Sequence, residues 1–187
     1  MSAEQTVRID SSAANPVFTQ SPVALTGMVY TTLIENVPTV NTANNYLSVF
    51  NPIGSGKNLI FAQFTAFPYA TAAQATTINM EVQRISTATG GTQLAAANIN
   101  KFDTTQANAT AEVRTGNPTV TLVGTVPLIA IPPAITNAAN GVSSPVDIIP
   151  PTGSLFICRP GEGVVVKQLA GAGTTQVWSL GLTWSEI

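Results

Sequence analysis

The stretch Asn51-Pro52-Ile53-Gly54-Ser55-Gly56-Lys57-Asn58 sets two glycines and a lysine ahead of the apolar run Leu59-Ile60-Phe61. Glycines that bare backbone N–H groups, and a lysine that reaches phosphate oxygens, are the parts of a nucleotide-cradling loop. That chemistry needs a fixed spacing: glycine, four residues, glycine, lysine, then a hydroxyl to hold the metal ion. Asn51 stands where the first glycine belongs and Asn58 where the hydroxyl belongs. The loop must also open a helix whose N-terminus faces the phosphates. Here Tyr46–Phe50 before it and Leu59–Thr65 after it are both dense in strand-forming residues. The residues therefore predict a hairpin or strand connection, with Gly54 and Gly56 available for positive φ.

Other reactive side chains are sparse. Histidine is absent, which removes the usual base for a serine or cysteine nucleophile. Cysteine occurs once, at Cys158, too few for a zinc cluster or an intrachain disulfide. It closes the apolar run Leu155-Phe156-Ile157, which predicts a buried, inert thiol. Two carboxylates about 5–10 Å apart in a cleft would suit a glycoside hydrolase. The acidic residues sit in no motif of that kind, and Glu81 alternates onto the polar face of its strand. No loop gathers the several oxygen ligands of a calcium site. The expectation is a non-enzymatic protein with no catalytic residues, no metal and no cofactor.

Charge is the most informative part of the composition. Charged residues make up 9% of the 187-residue chain, against about 25% in ordinary soluble domains. The surface must be clothed by Thr, Ala, Asn, Ser, Gln and Gly, which repel other copies weakly and suit burial against neighbours. The net charge is −2 and the basic residues are scattered, so a non-specific nucleic-acid partner is not expected. No run of apolar residues is long enough for a membrane helix. The first residues lack the basic start and apolar core of a signal peptide, so synthesis in a cytoplasm is expected.

The elements that would position any site are strands. Residues 1–26 are small, polar and proline-punctuated, and read as an extended N-terminal arm with Val17, Phe18, Val23 and Leu25 as docking residues. Residues 27–187 read as one domain. Strand signals cover Met28–Val37, Tyr46–Asn51, Leu59–Phe67 and Thr76–Ser86, and in the last of these Ile78, Met80 and Val82 alternate with Asn79, Glu81 and Gln83. The middle is Ala/Thr/Asn-rich, with either short strands or a long loop and a helical turn near Leu94–Asn100. Ala111–Thr115 and Thr119–Ile131 read as strands, and Pro132–Pro151 as a long connection. Ser154–Arg159, Gly163–Leu169 and Gln176–Trp184 read as a closing meander, with a type II turn at Pro160-Gly161. Trp178, Leu180, Leu182 and Trp184 share one face of the last strand. The fold class is all-β: an antiparallel β-sandwich or jelly roll with an N-terminal arm.

Two segments carry a resemblance. "SVFNPIGSGKNLIF" is similar to strand–loop–strand segments of structural proteins of tailed-bacteriophage virions, and "GSLFICRPGEGVVVKQ" with "VWSLGLTWSEI" is similar to their closing strands. The likeness covers roughly Tyr46–Thr65 and Gly153–Ile187. It implies a β-sandwich subunit, often a trimer, that decorates or cements a phage head by binding major capsid protein subunits. A receptor- or carbohydrate-binding domain of a tail or head fibre, working through exposed aromatics, is the alternative. For the decoration protein, the expected interface is the arm together with Val164 and Val166 and the face Val177, Ser179, Gly181 and Thr183.

Overall fold

A computed structural model describes residues 27–70, 78–134, 146–149, 154, 156–169 and 176–187. The strands among them are β1 (Met28–Pro38), β2 (Asn44–Phe50), β3 (Leu59–Ala70), β4 (Ile78–Thr89), β5 (Thr92–Gln93), β6 (Asn100–Lys101), β7 (Glu112–Thr115), β8 (Thr119–Leu122), β9 (Ile129–Ala134), β10 (Val146–Ile148), β11 (Phe156–Cys158), β12 (Gly163–Gln168) and β13 (Gln176–Glu186). A single 3₁₀ turn, Ala96–Asn98, lies between β5 and β6 among the described residues. The strands make two antiparallel sheets. The first runs β10-β3-β13-β1-β6, with β11 also on β3; the second runs β5-β7-β2-β12-β4-β8, with β9 also on β4.

In chain order the long strands shuttle between layers. β1, β3, β10 and β13 belong to the first sheet, and β2, β4, β9 and β12 to the second. The spatial orders β1-β13-β3-β10 and β2-β12-β4-β9 are those of paired Greek keys, the wiring of a jelly roll. The fold is thus an all-β antiparallel sandwich.

Period-two alternation decides which residues meet between the sheets. From the first sheet, Trp178, Leu180, Leu182 and Trp184 of β13 point inward with Tyr30 of β1 and Phe61 and Phe64 of β3. Leu47, Val49, Val82, Val113, Val164 and Val166 meet them from the second. The Trp184 ring lies 6.0 Å from that of Tyr30 and 6.2 Å from that of Phe61, in tilted pairs. Each such large side chain, fully buried, contributes about 1.5–3 kcal/mol. A smaller cluster of Ile85, Ala88 and Val165, with Phe50 and Val120, packs separately. Val165 alternates with the inward Val164 and Val166, so this cluster lies on the outer side of the second sheet.

Several sequence expectations need correction. The last three strands do not form a meander: β11 and β13 lie in the first sheet and β12 in the second. The turn at Pro160-Gly161 carries the chain across the sandwich rather than into a hairpin. It has the expected geometry, with Gly161 at φ 87° and the Glu162 N–H donating to the Arg159 carbonyl at 2.9 Å. Thr119–Ile131 is not one strand. Residues 123–128 swing out between β8 and β9, and both strands return to β4. Glu81 is not on a wet face: it is 6% exposed, because Lys167 of the adjacent β12 lies over it at 3.6 Å. The helical turn expected near Leu94–Asn100 is the 3₁₀ turn. The arm of residues 1–26 and the turn at Gly171-Ala172-Gly173 lie outside the described residues.

Candidate interaction surface

The glycine-lysine loop is held by hydrogen bonds of its own chain. β2 ends in one sheet and β3 begins in the other, so residues 51–58 bridge the sandwich. Asn51 is fully buried and organises the bridge. Its Nδ2 donates to the carbonyls of Lys57 (2.8 Å) and Cys158 (3.1 Å), and its Oδ1 accepts from the Ser55 hydroxyl (2.6 Å). Its backbone N–H donates to Glu162 O, and its carbonyl accepts from the Gly161 N–H, both at 2.8 Å. Asn51, at the position a phosphate loop reserves for glycine, thus fastens two crossings to each other. Gly54 and Gly56 take the positive φ expected of turn residues.

Four of the basic groups are likewise paired within the chain. Glu186, near the end of β13, is 1% exposed. Its carboxylate accepts the backbone N–H groups of Thr110 (2.9 and 3.0 Å) and Ala111 (3.0 Å) and the Thr110 hydroxyl (2.6 Å). The Lys57 ammonium stands 3.5 Å away. Arg84 pairs with Glu162 at 3.1 Å, Arg114 with Glu112 at 3.1 Å, and Lys167 with Glu81. Cys158 is fully buried, and burial pushes its thiol up to about 12 from an ordinary 9.0, overriding the nearby Arg84 guanidinium. A thiol so placed is no nucleophile at neutral pH. Among the described residues, no three acidic, histidine or cysteine side chains gather as a metal site, and no helix is long and apolar enough to cross a membrane.

Much of what remains on the outer side of the first sheet is apolar or uncharged. The outer face of the first sheet carries Thr31 and Leu33 from β1, Val177, Ser179, Gly181 and Thr183 from β13, and Gln63, Thr65, Phe67 and Tyr69 from β3. Register places them in rows, such as Leu33–Gly181–Thr65 and Ser179–Phe67. Leu33 is 48% exposed, Phe67 45% and Tyr69 38%, although they flank a floor of small residues. Glu35 of β1 and Asp147 of β10 are the charged residues on these strands' exposed positions. A second apolar feature is the excursion at 123–128, where Val126 is 80% exposed and Val123 and Leu128 are also exposed.

The structure divides the residues expected at the interface. Val177, Ser179, Gly181 and Thr183 share the outer face described above. Val177 and Ser179 are partly open, whereas Gly181 and Thr183 are covered by neighbours. A side chain at Gly181 would meet Thr65 Oγ1 at 2.5 Å. Val164 and Val166 are corrected: both are fully buried in the central core, on a strand flanked by β2 and β4, and offer nothing to a partner. Val17, Phe18, Val23 and Leu25 lie outside the described residues. Both tryptophans are buried and present no stacking platform. Leu33, Thr65 and the 123–128 excursion were missed. No motif marks them, although the period-two rule identifies Leu33 and Thr65 once the register of β1 and β3 against β13 is known.

A cleft of about 520 Å³ opens beside β1, with Ile34, Val37, Val40 and Tyr46 as its apolar lining and Glu35, Asn36 and Asn44 among its polar groups. No protein-family profile matches the chain, and neither a curated protein nor a solved structure matches it.

Proposed function

We propose that this chain is a non-enzymatic virion structural protein: a homotrimeric decoration or cement subunit that binds major capsid protein on the outer surface of a phage head. The observation that carries the reading is the outer face of the first sheet. It is built of small and apolar side chains and is nearly without charge. A free-standing sheet face of this kind exposes apolar surface that a partner would cover. The bacteriophage resemblance supplies the setting, and jelly-roll wiring is common among capsid domains, though a fold alone assigns no function.

This face and the exposed 123–128 excursion are different surfaces on different sheets. A head-to-tail contact between them on neighbouring copies would be heterologous, and with a rotation that closes it would make a ring. A trimer is the smallest such ring. A stable contact of this kind should bury upward of about 1,000 Å².

Sedimentation of the purified chain at micromolar concentration tests the reading, with imaging of particles with and without it. A trimer that Phe67→Lys or Val126→Lys each reduces to folded monomer is expected. A wild-type monomer with no affinity for capsids would overturn it.

A further inference from the structure

The first sheet stops at an unfinished edge. β1 pairs with β13 along most of its length on one side, but on the other it meets only Asn100–Lys101 of β6, at Tyr30 and Thr31. The Phe102 N–H donates to the Val29 carbonyl at 3.1 Å, so Val29 turns its backbone groups toward β6. Backbone direction alternates along a strand, so Thr31 and then Leu33 point the same way. Thr31 has Asn100 opposite it. Beyond Asn100 the partner chain turns into Ala96–Asn98, and no strand among the described residues lies beside Leu33. The 520 Å³ cleft begins at the next residue, Ile34, and follows the same strand to Pro38.

An open edge beside an apolar cleft is the geometry of strand addition, in which main-chain bonds give affinity and alternate side chains fill pockets. We propose that residues 16–25 of a second copy add to β1 at this edge and seat apolar side chains in the cleft. This rests on the assembly reading above and names the arm as one of its contacts. That segment, Pro16-Val17-Phe18-Thr19-Gln20-Ser21-Pro22-Val23-Ala24-Leu25, carries no charge and four sizeable apolar residues. Its two prolines suit a strand that is itself an edge.

Where the described chain begins favours a second copy as the donor. Gly27 sits against Glu186 and Ile187, at the opposite end of β1 from the cleft. The direct return along the chain's own β1 is occupied by Asn100–Phe102. The 26 residues before Gly27 span up to roughly 90 Å when extended, enough to reach a neighbour.

The test compares the full chain with a variant lacking residues 1–25, by mass in solution and by hydrogen exchange at the Leu33 amide. The full chain should be oligomeric, with Leu33 exchanging at least about tenfold more slowly than in the truncated chain. A synthetic peptide of residues 14–26 should restore that protection. Leu33→Pro removes this N–H, which faces away from β13, and should abolish peptide binding at unchanged near-ultraviolet circular dichroism. If that variant does not fold, the exchange comparison decides. Equal exchange in both chains would overturn strand addition while leaving an assembled protein intact. Protection in a monomeric full chain would overturn both the second copy as donor and the assembly reading.

Discussion

Removal of the Glu186 carboxylate should unfasten the C-terminal strand from the loop that precedes β7. The side chain has no exposed surface, and its two oxygens receive two backbone N–H groups, a hydroxyl and, at 3.5 Å, the Trp184 indole N–H and Lys57. Glu186→Ala would leave the Thr110 and Ala111 N–H groups without an acceptor. At about 1–3 kcal/mol for each of these two donors, with the buried Ala111 N–H at the upper end and the part-buried Thr110 N–H at the lower, the loss is about 2–6 kcal/mol. Glu186→Gln keeps the shape and one acceptor oxygen. The Thr110 hydroxyl can reverse to accept from the new amide, so the cost is chiefly the charge assistance of two bonds, about 2–3 kcal/mol. Lys57→Met should cost less than about 1 kcal/mol, because the ammonium is partly exposed and can be replaced by solvent around the cage. Against a total stability of roughly 5–15 kcal/mol these differences are readily measured. Urea unfolding followed by the fluorescence of buried Trp178 and Trp184 gives all three. The order Ala, then Gln, then Met is the content of the prediction. A Glu186→Ala chain within about 0.5 kcal/mol of wild type, or a Lys57→Met chain as unstable as Glu186→Ala, would refute the claim that backbone N–H groups hold this carboxylate.

Asn51→Ala should cost about 2–4 kcal/mol, since the carbonyls of Lys57 and Cys158 and the Ser55 hydroxyl all lose a partner; nucleotide addition should stabilise neither chain in a thermal melt. Gly163→Ala should destabilise more than an ordinary strand glycine, because a Cβ there would lie 2.6 Å from Val49 O and 2.8 Å from Phe50 Cα, backbone atoms that cannot move aside. Refolding yield and melting temperature check this, and a melting point equal to wild type would contradict it. Cys158 gives a pH signature. Its thiol is held near 12 in the fold and is ordinary, near 9.0, when unfolded. The native state keeps a proton that the unfolded chain releases, so this stability is complete below pH 9 and is lost as pH rises toward 12. It amounts to at most about 4 kcal/mol. Burial raises Tyr30 and Tyr46 in the same direction. Cys158→Val should flatten the decline of the urea midpoint over that range, and an unchanged slope would show that the thiol is not what is titrating.

The fold was legible where one strand carries its own signal. The alternation of Trp178, Leu180, Leu182 and Trp184 against Val177, Ser179, Gly181 and Thr183 places each residue on its observed face. Local turn chemistry was also legible, as at Pro160-Gly161. The partition into sheets was not. A turn of given geometry can join two strands of one sheet or lead the chain across to the other, and residues 159–162 take the second course. The fate of Glu81 was hidden for a related reason: its strand alternates faithfully, but the outer face is wet only until Lys167 is laid over it. The role of Glu186 was hidden because its partners Thr110 and Ala111 lie 76 and 75 residues away, in a segment of ambiguous composition.

The scarcity of charge acquires a sharper meaning once its location is known. Spread evenly, the few ionised groups would leave a thin but uniform coat. Instead Lys57, Arg84, Arg114 and Lys167 are each paired with a carboxylate of the same chain. Lys101 donates to the Gln106 carbonyl at 3.0 Å. The groups that would normally keep copies apart are spent on fastening the edges and crossings of the sandwich. That arrangement stabilises the subunit, and it leaves the outer side of the first sheet without the repulsion that discourages association. The same few side chains therefore account for how the sandwich is closed and for where it is most able to meet another molecule.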